Sequence, residues 1–296
     1  MEEKKRRKYA SLYENSVEEK PRPAERDSAR HGGRNRHRRT MEKVLRRLAF
    51  SFLLMAVVLL SAFHYFEMRE AKREAVLDYI RQEKKVKEAV AETEKSPGTL
   101  AILDQYDVLY KMHPDLAGWI KIEGTAIDYP VMQDKTGEEY YLNHNFEGKE
   151  DNEGNPFISS DSSIAPMDKN IVIFGHNMRN GSQFGELDRY LDPDFYQKHT
   201  RIIFDTIYET GEYEIVSIVK TQVKKEEEKG FRYYWFHNYE TEKEFRELQD
   251  FIARGQVYDT GKKLSYGDET LMLSTCEYTV EHGRLVVIAK RIQDKK

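Results

Sequence analysis

The chain of 296 residues holds a single cysteine, Cys276, so no internal disulfide can form and an oxidising exterior would leave a free thiol. Metal-ligand spacing of the H-x-x-x-H or H-E-x-x-H kind is missing, so neither a metal site nor a cofactor is expected. A basic excess is missing too. With a net charge of −4 and 34% charged residues, nothing in the overall charge steers the molecule to nucleic acid. Long apolar runs are absent with one exception, residues 48–63 (LAFSFLLMAVVLLSAF), which His64, Tyr65 and Phe66 extend to 19 residues before Glu67.

That stretch is long enough to span a bilayer, which needs about 20 residues. Two basic clusters, residues 4–8 (KKRRK) and 34–39 (RNRHRR), lie upstream of it, and Lys43, Arg46 and Arg47 crowd its N-terminal flank. Its other flank mixes Glu67, Arg69, Glu70, Lys72 and Arg73. By the positive-inside rule the N-terminus is cytoplasmic and the bulk of the protein lies outside, held by a single pass through the plasma membrane. A cleavable signal peptide is the rival reading, but signal peptides total roughly 15–30 residues and the region before this stretch already exceeds that.

Four segments follow from these patterns. Residues 1–43 are charge-rich, with Pro21, Pro23, Gly32 and Gly33, and are expected to form a basic tail without order. Residues 44–66 form the membrane anchor. Residues 67–98 are rich in helix formers, with Val76, Tyr79, Ile80, Val86 and Val90 at loosely helical spacing. This stripe is thin, so a solvated helical stalk is favoured over pairing with another chain. Residues 99–296 form the folded domain, long enough to bury roughly 70% of its unfolded surface.

Within that domain the pattern turns mainly to strands. One amphipathic helix is predicted over 100–112, with Leu103, Tyr106, Leu109 and Tyr110 on a common face. Strands are predicted at 118–122, 126–132, 155–159, 170–175, 201–206, 212–220, 270–275 and 284–291. Eight strands suggest a closed barrel. A single helix, residues 241–254 with Phe245, Leu248, Phe251 and Ile252 on its apolar face, is inserted before the strand that ends in Cys276.

Cys276 closes the apolar run LMLST and precedes the polar Glu277, so a strand delivers its sulfur to the rim of the sheet. A small buried hydrophobe is the alternative for a lone cysteine. His176 closes a second apolar run, IVIFG, and Gly175 before it permits a tight turn that presents the imidazole at a strand end. The other histidines fall in the tail (His31, His37), the membrane segment (His64) or polar connections (His113, His144, His199, His237, His282). Arg284 opens the strand RLVVIAKR eight residues after Cys276, and a turn over 277–283 sets its guanidinium beside the thiol, facing any oxyanion formed there. Arg291 carries the same side chain without a comparable partner, and serves as a control.

Together these residues resemble the sortase family over about residues 100–293. LSTCEY and HGRLVVIAKR within 273–291 resemble its cysteine and arginine strands, and NIVIFGHNM at 170–178, followed by FGELDRY, resembles its histidine strand. WIKIEGTAIDYPVMQ at 119–133, YYLNHNFEGKEDNEGNPFISSD at 140–161 and the helical insert before the cysteine strand are similar to class B sortases. Leu273 and Ser274 precede Thr275 where many sortases have other residues, which leaves the favoured sorting signal open.

The resemblance implies an eight-stranded sortase barrel and a cysteine transpeptidase. Cys276 would attack the threonine carbonyl of a C-terminal sorting signal of Asn-Pro-x-Thr-Asn or Pro-x-Thr-Gly type and form a thioester, which a peptidoglycan-precursor or pilin amine resolves. His176 would act as general acid and base, and Arg284 would hold substrate and oxyanion. Ser274, Thr275, Glu277 and Asn143 are the candidate substrate-binding residues, Ser274 because it shares the face of Cys276 along the strand. Two competing readings are a cell-wall cysteine hydrolase and an inert membrane-anchored scaffold. The first typically places a helix behind the cysteine and a third polar residue on the histidine, whereas here a strand and an arginine are expected.

Overall fold

The computed structural model describes residues 26–91, 101–137, 139–225 and 227–293. The chain divides into two compact units between Ala75 and Val76. The first is helical. Helix α1 (Arg26–Ala91) starts after Pro23, in the segment expected to lack order, and runs without a break across the boundaries placed at 43 and 66. It contains no proline, and its only glycines, Gly32 and Gly33, cost about 1 kcal/mol each in a helix interior. Its Met41–Gln82 portion is long and apolar enough to cross a membrane, with the most apolar window wholly unburied, and fits a membrane anchor. Residues 1–25 of the expected tail lie outside the described residues.

The second unit takes in the end of α1, and here the expectation of a solvated stalk is corrected. Leu77 and Ile80 are buried in the same core as the barrel strands. Arg81 donates from Nε and Nη2 to the carbonyl of Asp128 (3.2 and 2.8 Å). Lys84 pairs with the Asp205 carboxylate at 3.5 Å and lies 5.2 Å from the ring centroids of both Tyr106 and Trp119. Of the stripe read from the sequence only Ile80 is buried: Tyr79 is 62% and Val76 36% exposed, while Val86 and Val90 lie outside the described side chains. The docking face instead uses the alkyl stems of Arg81 and Lys84, which cover apolar surface while their charged ends find partners.

Helix α2 (Asp104–Met112) then leads into eight strands, β1 (Leu116–Lys121), β2 (Asp128–Gln133), β3 (Phe157–Ile158), β4 (Asn170–Phe174), β5 (Arg201–Thr206), β6 (Glu212–Gln222), β7 (Thr270–Glu277) and β8 (Gly283–Arg291). They close into a barrel in the order β1-β2-β3-β4-β7-β8-β6-β5. The β2/β3 and β4/β7 pairs are parallel, the rest antiparallel. Every strand expected from the sequence is present, with ends shifted by a few residues. Helix α3 (Pro193–Lys198), capped by the Asp192 side chain, was not foreseen.

Strand alternation divides the sheet into two apolar faces. Ile171, Ile173, Leu271, Leu273, Leu285 and Val287 fill the barrel interior. Their neighbours Val172, Met272, Val286 and Ile288 face outward into a second core. Helix α4 (Glu242–Gly255) covers that outer face with Phe245, Leu248 and Phe251, and Thr241 with Glu244 closes its N-terminus in a reciprocal capping box. Each of these side chains contributes about 1.5–3 kcal/mol by leaving water. The site lies on this same outer face, toward the C-terminal end of β7.

Candidate active site

Strands β4 and β7 run parallel and in register from Asn170↔Thr270 to Phe174↔Ser274. Strand β4 ends at Phe174, whereas β7 continues to Glu277 beside β8, so His176, just past the end of β4, and Cys276, near the end of β7, come to the same edge of the sheet. The β7/β8 pairing places Arg284 directly across from Cys276. Because Met272 and Val286 face outward, Ser274, Cys276 and Arg284 do so too, by alternation. All four of His176, Ser274, Cys276 and Arg284 line one groove of about 410 Å³. The thiol is partly exposed, unlike a cysteine used to fill a core.

The hydrogen bonds assign atoms within the groove. His176 Nε2 lies 2.8 Å from the carbonyl oxygen of Leu142. A carbonyl only accepts, so Nε2 carries the proton and Nδ1 is left as the basic nitrogen. Arg284 donates from Nη1 to the carbonyl of Gly283 at 2.9 Å, and among the described residues its other guanidinium N–H groups have no hydrogen-bond partner. They remain available to an oxygen in the groove. Gly175 does not adopt the left-handed conformation that a tight turn would need. A Cβ there would meet the Phe184 ring at 2.6 Å, so close packing and not backbone freedom requires glycine before His176.

The four substrate-binding candidates separate. Ser274 lies in the groove floor, 2.8 Å from the hydroxyl of Tyr233, whose pKa burial pushes up to about 12. Thr275 also borders the groove, but its hydroxyl donates to the carbonyl of Gly175 at 2.8 Å, tying the cysteine strand to the histidine turn. Glu277 lies on the opposite face of β7, at the barrel mouth, with Lys220 Nζ at 3.0 Å and Thr279 Oγ1 at 2.7 Å. Burial would raise its carboxyl pKa, but the hydrogen bonds from Thr279 and Lys220 outweigh this and hold it below the ordinary value. Asn143 is exposed and borders none of the groove, and its carbonyl accepts from the Asp151 amide at 2.8 Å. Its neighbour Leu142 is the residue that holds His176.

Sequence reasoning passed over the groove's aromatic wall, Tyr233, Tyr234 and Trp235. The run FRYYWF at 231–236 was its signal, since Trp235 is 61% exposed and so is not there to fill the core. Asn177 was passed over as well. Its Nδ2 donates to the Cys276 carbonyl at 2.8 Å and to the Asp188 carboxylate at 2.9 Å. Among the described residues no three His, Cys, Asp or Glu side chains converge as metal ligands would.

The chain matches the family description "Sortase domain" over residues 120–292. Sortase B of Staphylococcus aureus is 31% identical over 191 residues, covering 64% of this chain and 75% of that protein. Sortase B of Listeria monocytogenes is 33% identical over 199 residues, with the same shares covered. A solved Staphylococcus aureus sortase B-substrate complex superposes with a TM-score of 0.66 at 27% identity, covering 77% of this chain and all of that one. With an eight-stranded barrel, a thiol at the end of β7 and these relatives, the chain belongs to the sortase family, in its class B, and is a transpeptidase of the sortase type.

Proposed function

We propose that this protein cleaves a C-terminal sorting signal after threonine and joins the freed carbonyl to an amine through a thioester on Cys276. The observation that carries this is the meeting of Cys276, His176 and Arg284, from three separate strand ends, in one groove. As sulfur attacks the threonine carbonyl, His176 Nδ1 takes the thiol proton and the carbonyl oxygen gains negative charge, which the unused N–H groups of Arg284 stabilise. The intermediate collapses with rupture of the C–N bond, and His176 passes its proton to the leaving amine. In the second half an incoming amine attacks the thioester, His176 accepts the amine's proton, and the C–S bond breaks. The proton then returns to sulfur. No carboxylate is needed in this sequence.

The favoured signal is of Asn-Pro-x-Thr-Asn or Pro-x-Thr-Gly type, and the acceptor is a peptidoglycan-precursor or pilin amine. Substrate surface proteins meet the enzyme outside the cell. The basic flank before the apolar segment of α1 supports a cytoplasmic N-terminus and an external barrel. The experiment is cleavage of a fluorogenic signal peptide by the full chain with an amine acceptor present. Cys276→Ala and His176→Ala should each reduce kcat/KM by at least about 10³-fold, because neither nucleophile nor proton carrier has a substitute. Turnover by Cys276→Ala would overturn the mechanism. External protease acting on intact cells should digest the barrel and spare the N-terminal tail.

A further inference from the structure

The β4/β7 ladder ends at Phe174↔Ser274, two residues short of the reacting pair. Past that point one main-chain bond remains, from the Gly175 amide to the Ser274 carbonyl at 3.1 Å. Side chains continue the pairing from there. Thr275 Oγ1 donates to the Gly175 carbonyl at 2.8 Å, Asn177 Nδ2 donates to the Cys276 carbonyl at 2.8 Å, and the Tyr278 hydroxyl donates to the Asn177 carbonyl at 3.2 Å. His176 and Cys276 are thus bracketed by contacts on both sides although the β4/β7 ladder ends before them.

Asn177 is the central member of this bracket. It follows His176 directly, is only 8% exposed, and its amide has two N–H groups that serve two acceptors, the Cys276 carbonyl and Asp188 Oδ2. With both donors committed, the amide has one orientation, and Asp188 aims it. Burial makes such bonds stronger than exposed ones. An aspartate of the same shape would lose both donors and set a negative charge against two oxygens.

We infer that Asn177 is a positioning residue: its amide, aimed by Asp188, clamps the His176 turn to the main chain of Cys276 and keeps imidazole and thiol at reacting distance. This rests on the proposed pairing of His176 with Cys276. It assigns Asn177 no contact with substrate. It gives the polar pair Asn177 and Asp188 a role in kcat, since about 1 Å of misplacement costs about 10²-fold in rate.

Two measurements on the full chain test it. In the first, Asn177→Ala and Asn177→Asp should lower kcat for a signal peptide by about 10- to 100-fold while KM stays within about twofold. Asp188→Asn, which keeps an acceptor oxygen, should lose less than Asp188→Ala. A parallel fall of kcat and melting temperature with a rise in KM, or no change in kcat, would overturn the inference. The second measurement needs no enzymatic activity. With His176→Cys the chain has just two thiols, both lining one groove, and a disulfide forms only when the two Cα atoms come within about 4.4–6.8 Å of each other. Internal disulfide formation under mild oxidation should be about tenfold slower when Asn177→Ala is added, as the effective concentration of the pair falls. Equal rates would overturn the inference. A slowed cross-link in a chain whose parent cleaves no peptide would instead refute the proposed function and leave the clamp standing.

Discussion

The two ends of strand β8 carry the same side chain in opposite circumstances. At the far end Arg291 donates from Nη1 to Glu209 (2.9 Å) and Glu269 (3.0 Å) and from Nη2 to the Thr210 carbonyl (3.0 Å). Its guanidinium is consumed by its own protein. At the near end Arg284 has, among the described residues, one hydrogen bond, to the carbonyl of the preceding residue, and faces the groove across from Cys276. A partly buried guanidinium with donors to spare is costly for folding alone, because unpaired polar groups lose water without compensation. The contrast separates an arginine that staples a strand end from one whose remaining donors face a groove.

The comparison breaks most readily at Arg284. Arg284→Lys keeps the charge but loses the planar fork, and kcat/KM should fall by about 10²-fold or more, the scale of one oxyanion donor. Near-native activity would remove Arg284 from the mechanism. A smaller effect is expected one residue beyond the nucleophile, at Glu277, whose pKa is held below its ordinary 4.5. A depressed carboxyl stabilises the fold fully above that ordinary value and loses the contribution as the pH falls from it through the folded-state value. Glu277→Gln should therefore lower the melting temperature at pH 7, with the gap to the parent closing below pH 4.5, and should change kcat/KM far less than Arg284→Lys. A gap that widened in acid would mean the wrong sign for Glu277. The smallest effect on activity belongs to Arg291→Lys, for which kcat/KM should stay within about twofold, while the loss of a two-carboxylate fork lowers the melting temperature.

Much of this was legible because the barrel's strands are short apolar runs ending in polar residues, and His176 and Cys276, which line the groove, sit at those ends. NIVIFGH and LMLSTC each announce where a strand stops and what it presents, and the parallel β4/β7 pairing then brings their ends together. Alternation along β7 also puts Glu277 on the face opposite Cys276, so naming it a candidate substrate-binding residue conflicted with the rule that put Ser274 on the face of Cys276. Other features depend on contacts between distant segments. The Leu142 carbonyl under His176, the Asn177 amide on Cys276 and the Phe184 ring against Gly175 have no periodic signature. The docking face of α1 was hidden because Arg81 and Lys84 read as polar although they help to seal Leu77 and Ile80 against the barrel.

The central claim is a covalent intermediate on Cys276, and intact-mass measurement of the full chain mixed with a sorting-signal peptide tests it most directly. The account predicts a mass increment equal to the peptide's N-terminal part through threonine, localised to Cys276, absent from Cys276→Ala and discharged when an amine acceptor is added. An unmodified protein that nonetheless releases both peptide fragments would contradict it.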